Sequence, residues 1–499
     1  MNANIKVSAD NIISPIDRRL FSSFIEHMGR AVYTGIYEPD HPTADENGFR
    51  RDVIELIKPL GISHIRYPGG NFVSGYRWED GIGDKSSRPI RRELAWSAIE
   101  PNEVGTNEFI DFCRTADAEP IFAVNLGTRG PQEAADLLEY CNVDSGTYLS
   151  DLRRSHGWES PHNIKLWCLG NEMDGPWQIC AKTADEYGRI ACETAKMMKM
   201  MDPAIQLVAC GSSNRTMPTF GQWERTVLDH CGRYIDYLSL HQYYRNDDGD
   251  LPSFLSLSRD MDGFIREVAD ICREYKEKNN LQRDIYLSFD EWNVWYHYQN
   301  ECKEQPPEWT VGRPIEEEAY TFADALLVGG MLTTLINNAD TVKIACLAQL
   351  VNVIAPIMTQ PGGKAWAQTI YYPFMLTSQN GRGTALKCDI DCPKYNCAVG
   401  SNVPYLDCAA VLSEDKLGVT FFIVNKSLTE NITCRIEAEG FCADGADQTT
   451  LTALSPDSIS TVDHDAVIKT EYHYSADDKG AFSVNLPPLS WSMIRIDKN

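Results

Sequence analysis

A (β/α)8 TIM barrel followed by an antiparallel β-sandwich is the α/β architecture that this sequence predicts, on three observations. Apolar strand-like runs alternate with amphipathic helical stretches eight times within residues 16–378. Strands buried on both faces read as continuous apolar runs, and their alternation with helices indicates a parallel sheet, so eight units over this length close a barrel with insertions. From about Ser378 the period changes to short alternating stretches between Gly, Asp, Asn and Pro turns, the pattern of a sandwich. A chain of 499 residues is long enough for two such domains.

The predicted strands are Leu20–His27, Ser63–Gly70, Glu119–Gly127, Ile164–Glu172, Ile205–Ser213, Asp236–Tyr243, Arg283–Trp292 and Thr341–Val351. Helical patterns lie between and after them at Arg51–Leu60, Asn107–Asp117, Gln132–Tyr140, Ala184–Met201, Trp223–His230, Phe264–Lys278, Glu316–Asn337 and Lys364–Ser378. The longest insertions run from Asn71 to Gly105 and from Asn293 to Pro314, both leaving the carboxyl end of a strand, where barrels build active sites. Each is rich in aromatics: Tyr76, Trp78 and Trp96 in the first; Trp295, Tyr296, Tyr298 and Trp309 in the second. Trp295, four residues after Glu291, reads as a platform for a sugar ring, and Trp96 as a wall of the pocket; Tyr298 and Trp309 read as incidental packing.

Beyond the barrel, Gly418–Asn425, Ile432–Ala438, Ala481–Asn485 and Ser490–Ile496 alternate as half-buried strands. The N-terminal stretch Asn4–Ser8 is also extended and is expected to join them. The predicted division is therefore a catalytic barrel at 16–378 and a sandwich at 379–499 completed by residues 1–15. The sandwich is expected to pack on the barrel rather than bind sugar, since Trp491 is its one candidate surface tryptophan.

Composition narrows the functional classes. A net charge of −25 argues against nucleic acid and anionic membrane as partners, which need a basic surface, and is compatible with a neutral sugar. No run of about 18 apolar residues exists, so no membrane-spanning helix is expected. The first residues lack the basic-then-apolar pattern of an export signal, which predicts a cytoplasmic protein. In that compartment the 16 cysteines are expected as thiols, and the sequons at Asn214, Asn425 and Asn431 carry no meaning. Cys168, Cys210 and Cys346 fall in apolar runs; Cys388, Cys392, Cys397 and Cys408 lack the paired C-x-x-C spacing of a zinc site, and no metal is expected.

Chemistry enters where the strands end. Glu172 closes the run Leu166-Trp-Cys-Leu-Gly-Asn-Glu172, and Glu291 closes Ile285-Tyr-Leu-Ser-Phe-Asp-Glu291. A carboxylate at the end of a buried strand is costly to desolvate without a partner or a task. Two of them among aromatic and amide residues suit the acid/base and nucleophile of glycosidic cleavage. The other strand ends supply Glu26, Arg66, Asn71, Asn171, His241, Tyr243 and Gln349, and in a closed barrel these ends surround one mouth. A pocket rimmed by amides, carboxyls and tyrosine suits the hydroxyls of a sugar. Asn171 can bond the 2-hydroxyl, Arg66 can hold the nucleophile ionised, and Tyr243 can orient it.

Six blocks carry a resemblance: Phe24-Ile-Glu-His-Met-Gly-Arg30, Arg66-Tyr-Pro-Gly-Gly-Asn-Phe-Val-Ser-Gly75, Gly170-Asn-Glu-Met-Asp-Gly-Pro-Trp-Gln178, Leu240-His-Gln-Tyr-Tyr244, Phe289-Asp-Glu-Trp-Asn-Val-Trp-Tyr-His297 and Ala348-Gln-Leu-Val-Asn352. In order and flanks they resemble glycoside hydrolase family 51, the α-L-arabinofuranosidases, among the retaining glycosidases of the (β/α)8 clan. The resemblance implies Glu172 as acid/base and Glu291 as nucleophile. It implies Glu26, Asn71, Asn171, Tyr243 and Gln349 as contacts to the furanose, no catalytic metal or other cofactor, and a homo-oligomer, often a hexamer. The long aromatic loops after the second and seventh strands favour a blocked pocket over an open cleft, and so exo-acting release of terminal arabinofuranosyl groups from arabino- and arabinoxylo-oligosaccharides. A β-xylosidase or an endoglucanase on the same barrel is the enzymatic alternative; a non-catalytic carbohydrate-binding barrel would be expected to lack one of the two carboxylates, and both are present.

Overall fold

The computed structural model describes residues 1–297, 307–441 and 443–498. Eight parallel strands close a barrel in chain order: β1 (Ser22–Phe24), β2 (His64–Tyr67), β3 (Glu119–Val124), β4 (Leu166–Leu169), β5 (Gln206–Ala209), β6 (Tyr237–Tyr244), β7 (Tyr286–Val294) and β8 (Val342–Ala348). The residues forming β1, β2, β4 and β8 are almost wholly buried, as expected of strands with the barrel interior on one face and helices on the other. Around them run α1 (Arg51–Leu60), α2 (Thr106–Thr115), α3 (Pro131–Asn142), α4 (Ala184–Met201), α5 (Gln222–Cys231), α6 (Ser258–Lys278), α7 (Phe322–Asn337) and α8 (Tyr371–Asn380). The strands are shorter than the apolar runs that announce them, so Glu26, Asn71, Asn171, Glu172 and Gln349 sit in the loops just past the strand ends.

Two helices start later than their periodicity predicts. Residues 316–321 form no helix; α7 opens at a Thr321 cap, where Asp324 accepts from the Thr321 N–H at 2.7 Å. Ala365–Ala367 pairs as a strand with Ile357–Thr359 before α8 begins, a tertiary pairing that overrides the local pattern.

The sandwich has two sheets. One orders Asp389–Asp391, Asn2–Ser8, Ile432–Glu439 and Phe482–Leu486. The other orders Ile12–Pro15, Thr384–Leu386, Leu406–Leu412, Gly418–Asn425, Ser490–Asp497, Gly445–Thr452 and Ile468–Ser475. The N-terminus gives a strand to each sheet, and Asn2–Ser8 pairs parallel with Ile432–Glu439, so the sandwich is antiparallel except there.

The two bodies meet along α7, whose residues from Phe322 to Ile336 are all buried. A helix apolar all round needs cover on both sides, and α7 has the barrel on one and the sandwich on the other. Trp491 is 1% exposed and presses on this helix; a Cβ on Gly329 would lie 2.4 Å from its ring. The expectation of a surface tryptophan is thus corrected: Trp491 is an interface anchor. Cys388 and Cys408 face each other with sulfurs 4.0 Å apart, and the 14 described cysteines are free thiols. Tyr298 lies outside the described residues, and Trp309 packs under the Arg92 guanidinium.

Candidate active site

The barrel's carboxyl-end mouth opens into a cavity of about 660 Å³ lined by Glu26, Asn71, Trp96, Glu172, Tyr243, Glu291, Trp295 and Gln349. No helix among the described residues is long and apolar enough to cross a membrane. Arg66, Asn171 and His241 stand directly behind the lining, so all ten predicted site residues converge here.

Local sequence explains the convergence. In the run Tyr67-Pro-Gly-Gly-Asn71, a Cβ on Gly70 would sit 2.1 Å from Glu26 Oε2, so glycine lets the Glu26 carboxyl fold against the chain. Glu26 Oε1 accepts from Phe72 N at 2.8 Å and Trp96 Nε1 at 2.9 Å, and its own N–H donates to Gln349 Oε1 at 2.9 Å. Burial pushes its carboxyl up to about 8, against the pull of those two donors, and the charge of Glu291 adds to the rise. Glu172 stands at φ +44°, a left-handed conformation that disfavours a side chain by roughly 1–2 kcal/mol. Strain of this kind persists where surrounding contacts over-determine it, as they do here. Trp177 Nε1 donates to Glu172 Oε2 at 2.6 Å, and His241 Nδ1 lies 3.0 Å from Oε1.

Glu291 is held differently. Arg66 Nη1 donates to its Oε1 at 2.8 Å and Tyr243 OH to its Oε2 at 2.8 Å. Arg66 Nη2 also donates to Asn171 Oδ1 at 2.6 Å, which leaves the buried Asn171 Nδ2 without a protein partner. Register places His241 of β6 opposite Glu291 of β7, with Nδ1 3.4 Å from Glu291 Oε2. The other imidazole nitrogen is 3.2 Å from Asp290 Oδ1, off the line of a hydrogen bond.

Charges decide protonation. Burial alone would strip His241 of its proton; Glu291, Asp290 and Glu172 reverse that and raise it to about 10. Burial likewise opposes the Asp290 anion, yet Arg66 and His241 hold Asp290 below the ordinary carboxylate range. Burial and the neighbouring Glu172 displace Glu291 upward, while His241, Arg66 and Tyr243 pull the other way. Ligand atoms of Glu172, His241 and Glu291 lie within 4.8 Å of one another, a spacing that could hold a cation.

The fold agrees with the comparisons to known proteins. Residues 56–263 match the α-L-arabinofuranosidase 1 domain model, and residues 290–490 match the α-L-arabinofuranosidase C-terminal domain model. A protein of Halalkalibacterium halodurans named intracellular exo-α-(1→5)-L-arabinofuranosidase is 54% identical, over 100% of this chain and 99% of its own. One of Bacillus subtilis with the same activity in its name is 52% identical over 99% of each. The structure of a family 51 α-L-arabinofuranosidase from Bifidobacterium longum superposes with a TM-score of 0.94 at 41% identity, covering 99% of both chains. This chain belongs to glycoside hydrolase family 51, the α-L-arabinofuranosidases.

Several groups at the enzyme's mouth received no role from the sequence, although Asp174 and Trp177 fall inside its third block. Trp177 bonds Glu172 although no periodicity marks it. Asp174 accepts from Ser213 N at 3.1 Å, tying the Glu172 loop to the loop after β5, and burial raises its carboxyl to about 6. Glu316 accepts from Trp295 Nε1 at 2.8 Å. The partners of Asp174 and Glu316 are distant in sequence, whereas Trp177, five residues after Glu172 in the same block, could have drawn notice.

Proposed function

We propose that this enzyme removes terminal non-reducing α-L-arabinofuranosyl groups from short arabino- and arabinoxylo-oligosaccharides inside the cell, by double displacement. The observation that carries the mechanism is the separation of the two carboxylates. An oxygen of Glu172 lies within 4.8 Å of one of Glu291. Retaining glycosidases hold their carboxyl groups about 5–5.5 Å apart, and inverting ones leave a gap of about 6.5–9.5 Å for water.

Glu291 is the nucleophile. Its two donors and the His241 cation favour the anion, and β7 fixes its backbone. Glu172, across the gap on the loop after β4, is the acid/base. Glu291 attacks the anomeric carbon as Glu172 protonates the departing oxygen, breaking the glycosidic bond and forming a glycosyl ester. Glu172, now a carboxylate, takes a proton from water; that water displaces Glu291 and restores both groups. The free Asn171 Nδ2 is the donor for the sugar 2-hydroxyl. Glu26, Asn71, Tyr243 and Gln349 bind the remaining hydroxyls, and Trp295 stacks on the ring.

Exo action is supported by the walls of the cavity, which the Trp96 hairpin and the loop after β7 raise on adjoining sides. The relatives from H. halodurans and B. subtilis carry exo action, the 1→5 linkage and an intracellular location in their names. In the same reading, residues 16–378 are the catalytic unit, residues 379–499 with 1–15 are its sandwich, and the enzyme is a homo-oligomer, a hexamer by family resemblance; light scattering reads that state.

The decisive experiment follows an aryl α-L-arabinofuranoside by NMR, where the first-formed sugar keeps its anomeric configuration. An inverted product would overturn the mechanism. Faster release of internal fragments from arabinan or glucan than of arabinose from oligosaccharides would overturn exo action.

A further inference from the structure

We propose that Glu93 is a positioning residue for substrate binding: it fixes the turn that carries Trp96, and through Trp96 it sets Glu26 at the sugar site. The inference rests on the reading above, in which Glu26 contacts the arabinose. Arg91–Glu93 and Ala98–Glu100 pair as a small antiparallel hairpin. Its turn carries Trp96 over the mouth, with Ser97 at φ +52°.

Glu93 is 93% buried within this arm, being 7% exposed. Its Oε1 accepts from Ala95 N at 2.6 Å and its Oε2 from Trp96 N at 2.7 Å. Two consecutive main-chain N–H groups thus converge on one carboxylate, which sets the direction in which the Trp96 side chain leaves the turn. The Trp96 indole then donates to Glu26 Oε1 at 2.9 Å, beside the Phe72 N–H. A relay of three hydrogen-bonded residues therefore joins a buried surface-loop acid to a group on the sugar.

The arm does not depend on Glu93 for docking. Trp309 N donates to Ser97 O at 2.7 Å, Ile99 N to Thr310 O at 3.1 Å, and Arg313 Nη1 to Trp96 O at 3.0 Å. These bonds hold the hairpin against the loop after β7. What Glu93 adds is the setting of the turn itself. A wall and a Glu26 carboxyl that meet the sugar equally in the ground and transition states affect binding uniformly, so misplacing them raises KM and spares kcat.

The test is a double-mutant cycle on the full-length enzyme with an aryl α-L-arabinofuranoside. Glu93→Ala should raise KM about tenfold with kcat within about threefold of the parent. Glu93→Gln, which keeps one acceptor oxygen, should fall between, and it carries the test if the alanine variant fails to fold. Trp96→Phe should reproduce the KM rise, and Glu93→Ala should add nothing further in its presence. A wild-type KM in Glu93→Ala, a loss confined to kcat, or independent multiplication of the two effects would each overturn the proposal. Parent enzyme inactive on every arabinofuranoside would instead overturn the functional reading beneath it.

Discussion

The two ends of the barrel are built from the same residue types to opposite purposes. At the amino end, Arg19 donates to Asp17 Oδ2 at 2.6 Å, Gln206 Oε1 at 2.6 Å and Tyr237 OH at 2.8 Å. Lys199 there pairs with Asp236 at 3.0 Å, which also accepts from Leu207 N. Each of these groups has a partner. At the carboxyl end, Arg66 Nε, Asn171 Nδ2, His241 Nε2 and Asp290 Oδ1 are buried without an aligned hydrogen bond, and Glu172 is strained. Arg66, His241 and Asp290 neutralise one another as ion pairs behind the lining, and Asn171 Nδ2 is the donor left open to a ligand. One end is finished by folding; the other is left for the substrate.

Mutations should divide along that line. Glu291→Ala removes the atom that bonds to carbon and should lower kcat/KM at least about 10³-fold on every substrate, with the folded state retained by circular dichroism. Glu172→Ala should cost about 10²–10⁴-fold on an alkyl or sugar leaving group, and far less on a nitrophenyl group that departs without a proton. An equal loss on both leaving groups would remove Glu172 from the acid role.

Much of this contrast was legible in the sequence, for a physical reason. Barrel strands are buried on both faces, so Leu166–Leu169 and Ile285–Phe289 stand out as apolar runs, and Glu172 and Glu291 stand out because each closes one. Gly445–Thr452 and Ile468–Ser475 were not legible: the second is largely exposed at a sheet edge and polar on both faces, so it shows no alternation. The irregular course of residues 316–321 was also hidden, because Glu316 and Glu318 take their positions from Trp295 and Tyr296 across the mouth. Partners far apart in sequence leave no local periodicity to read.

Arg19→Ala sharpens the comparison from the finished end. It leaves Gln206, Tyr237 and Asp17 short of a donor and should lower stability by about 2 kcal/mol in urea unfolding. Its kcat/KM should match the parent at a temperature where both are folded. At the other end, Trp295→Ala should reduce kcat/KM about tenfold, or roughly 1.4 kcal/mol, with unfolding little changed. The ring meets Tyr243 edge-on at 4.9 Å, and Tyr243 orients Glu291, so part of that loss should appear in kcat. Catalytic loss in Arg19→Ala comparable to that in Trp295→Ala would erase the division.

A pH series is the most discriminating comparison, because the two ends should respond to pH with opposite sign. Glu26 has its carboxyl raised by burial from 4.5 to about 8. Between those values the native state holds a proton that the unfolded chain has released, so stability falls as pH rises through the window. Glu26→Gln removes that term, and the slope of unfolding free energy between pH 5 and 8 should flatten by at most about 1.4 kcal/mol per pH unit. Asp17 is the opposite case: burial opposes its anion, but Arg19 holds its carboxyl below 3.8. Its contribution is present above the unfolded value and is lost only as pH falls through the folded one. Asp17→Asn should therefore leave the slope between pH 5 and 8 unchanged and flatten only the acid limb below about pH 4. Urea midpoints for both variants across pH 3–8 measure this. A flattened neutral slope in Asp17→Asn, or none in Glu26→Gln, would mean that the open end carries no more buried, unpaired acidity than the closed one.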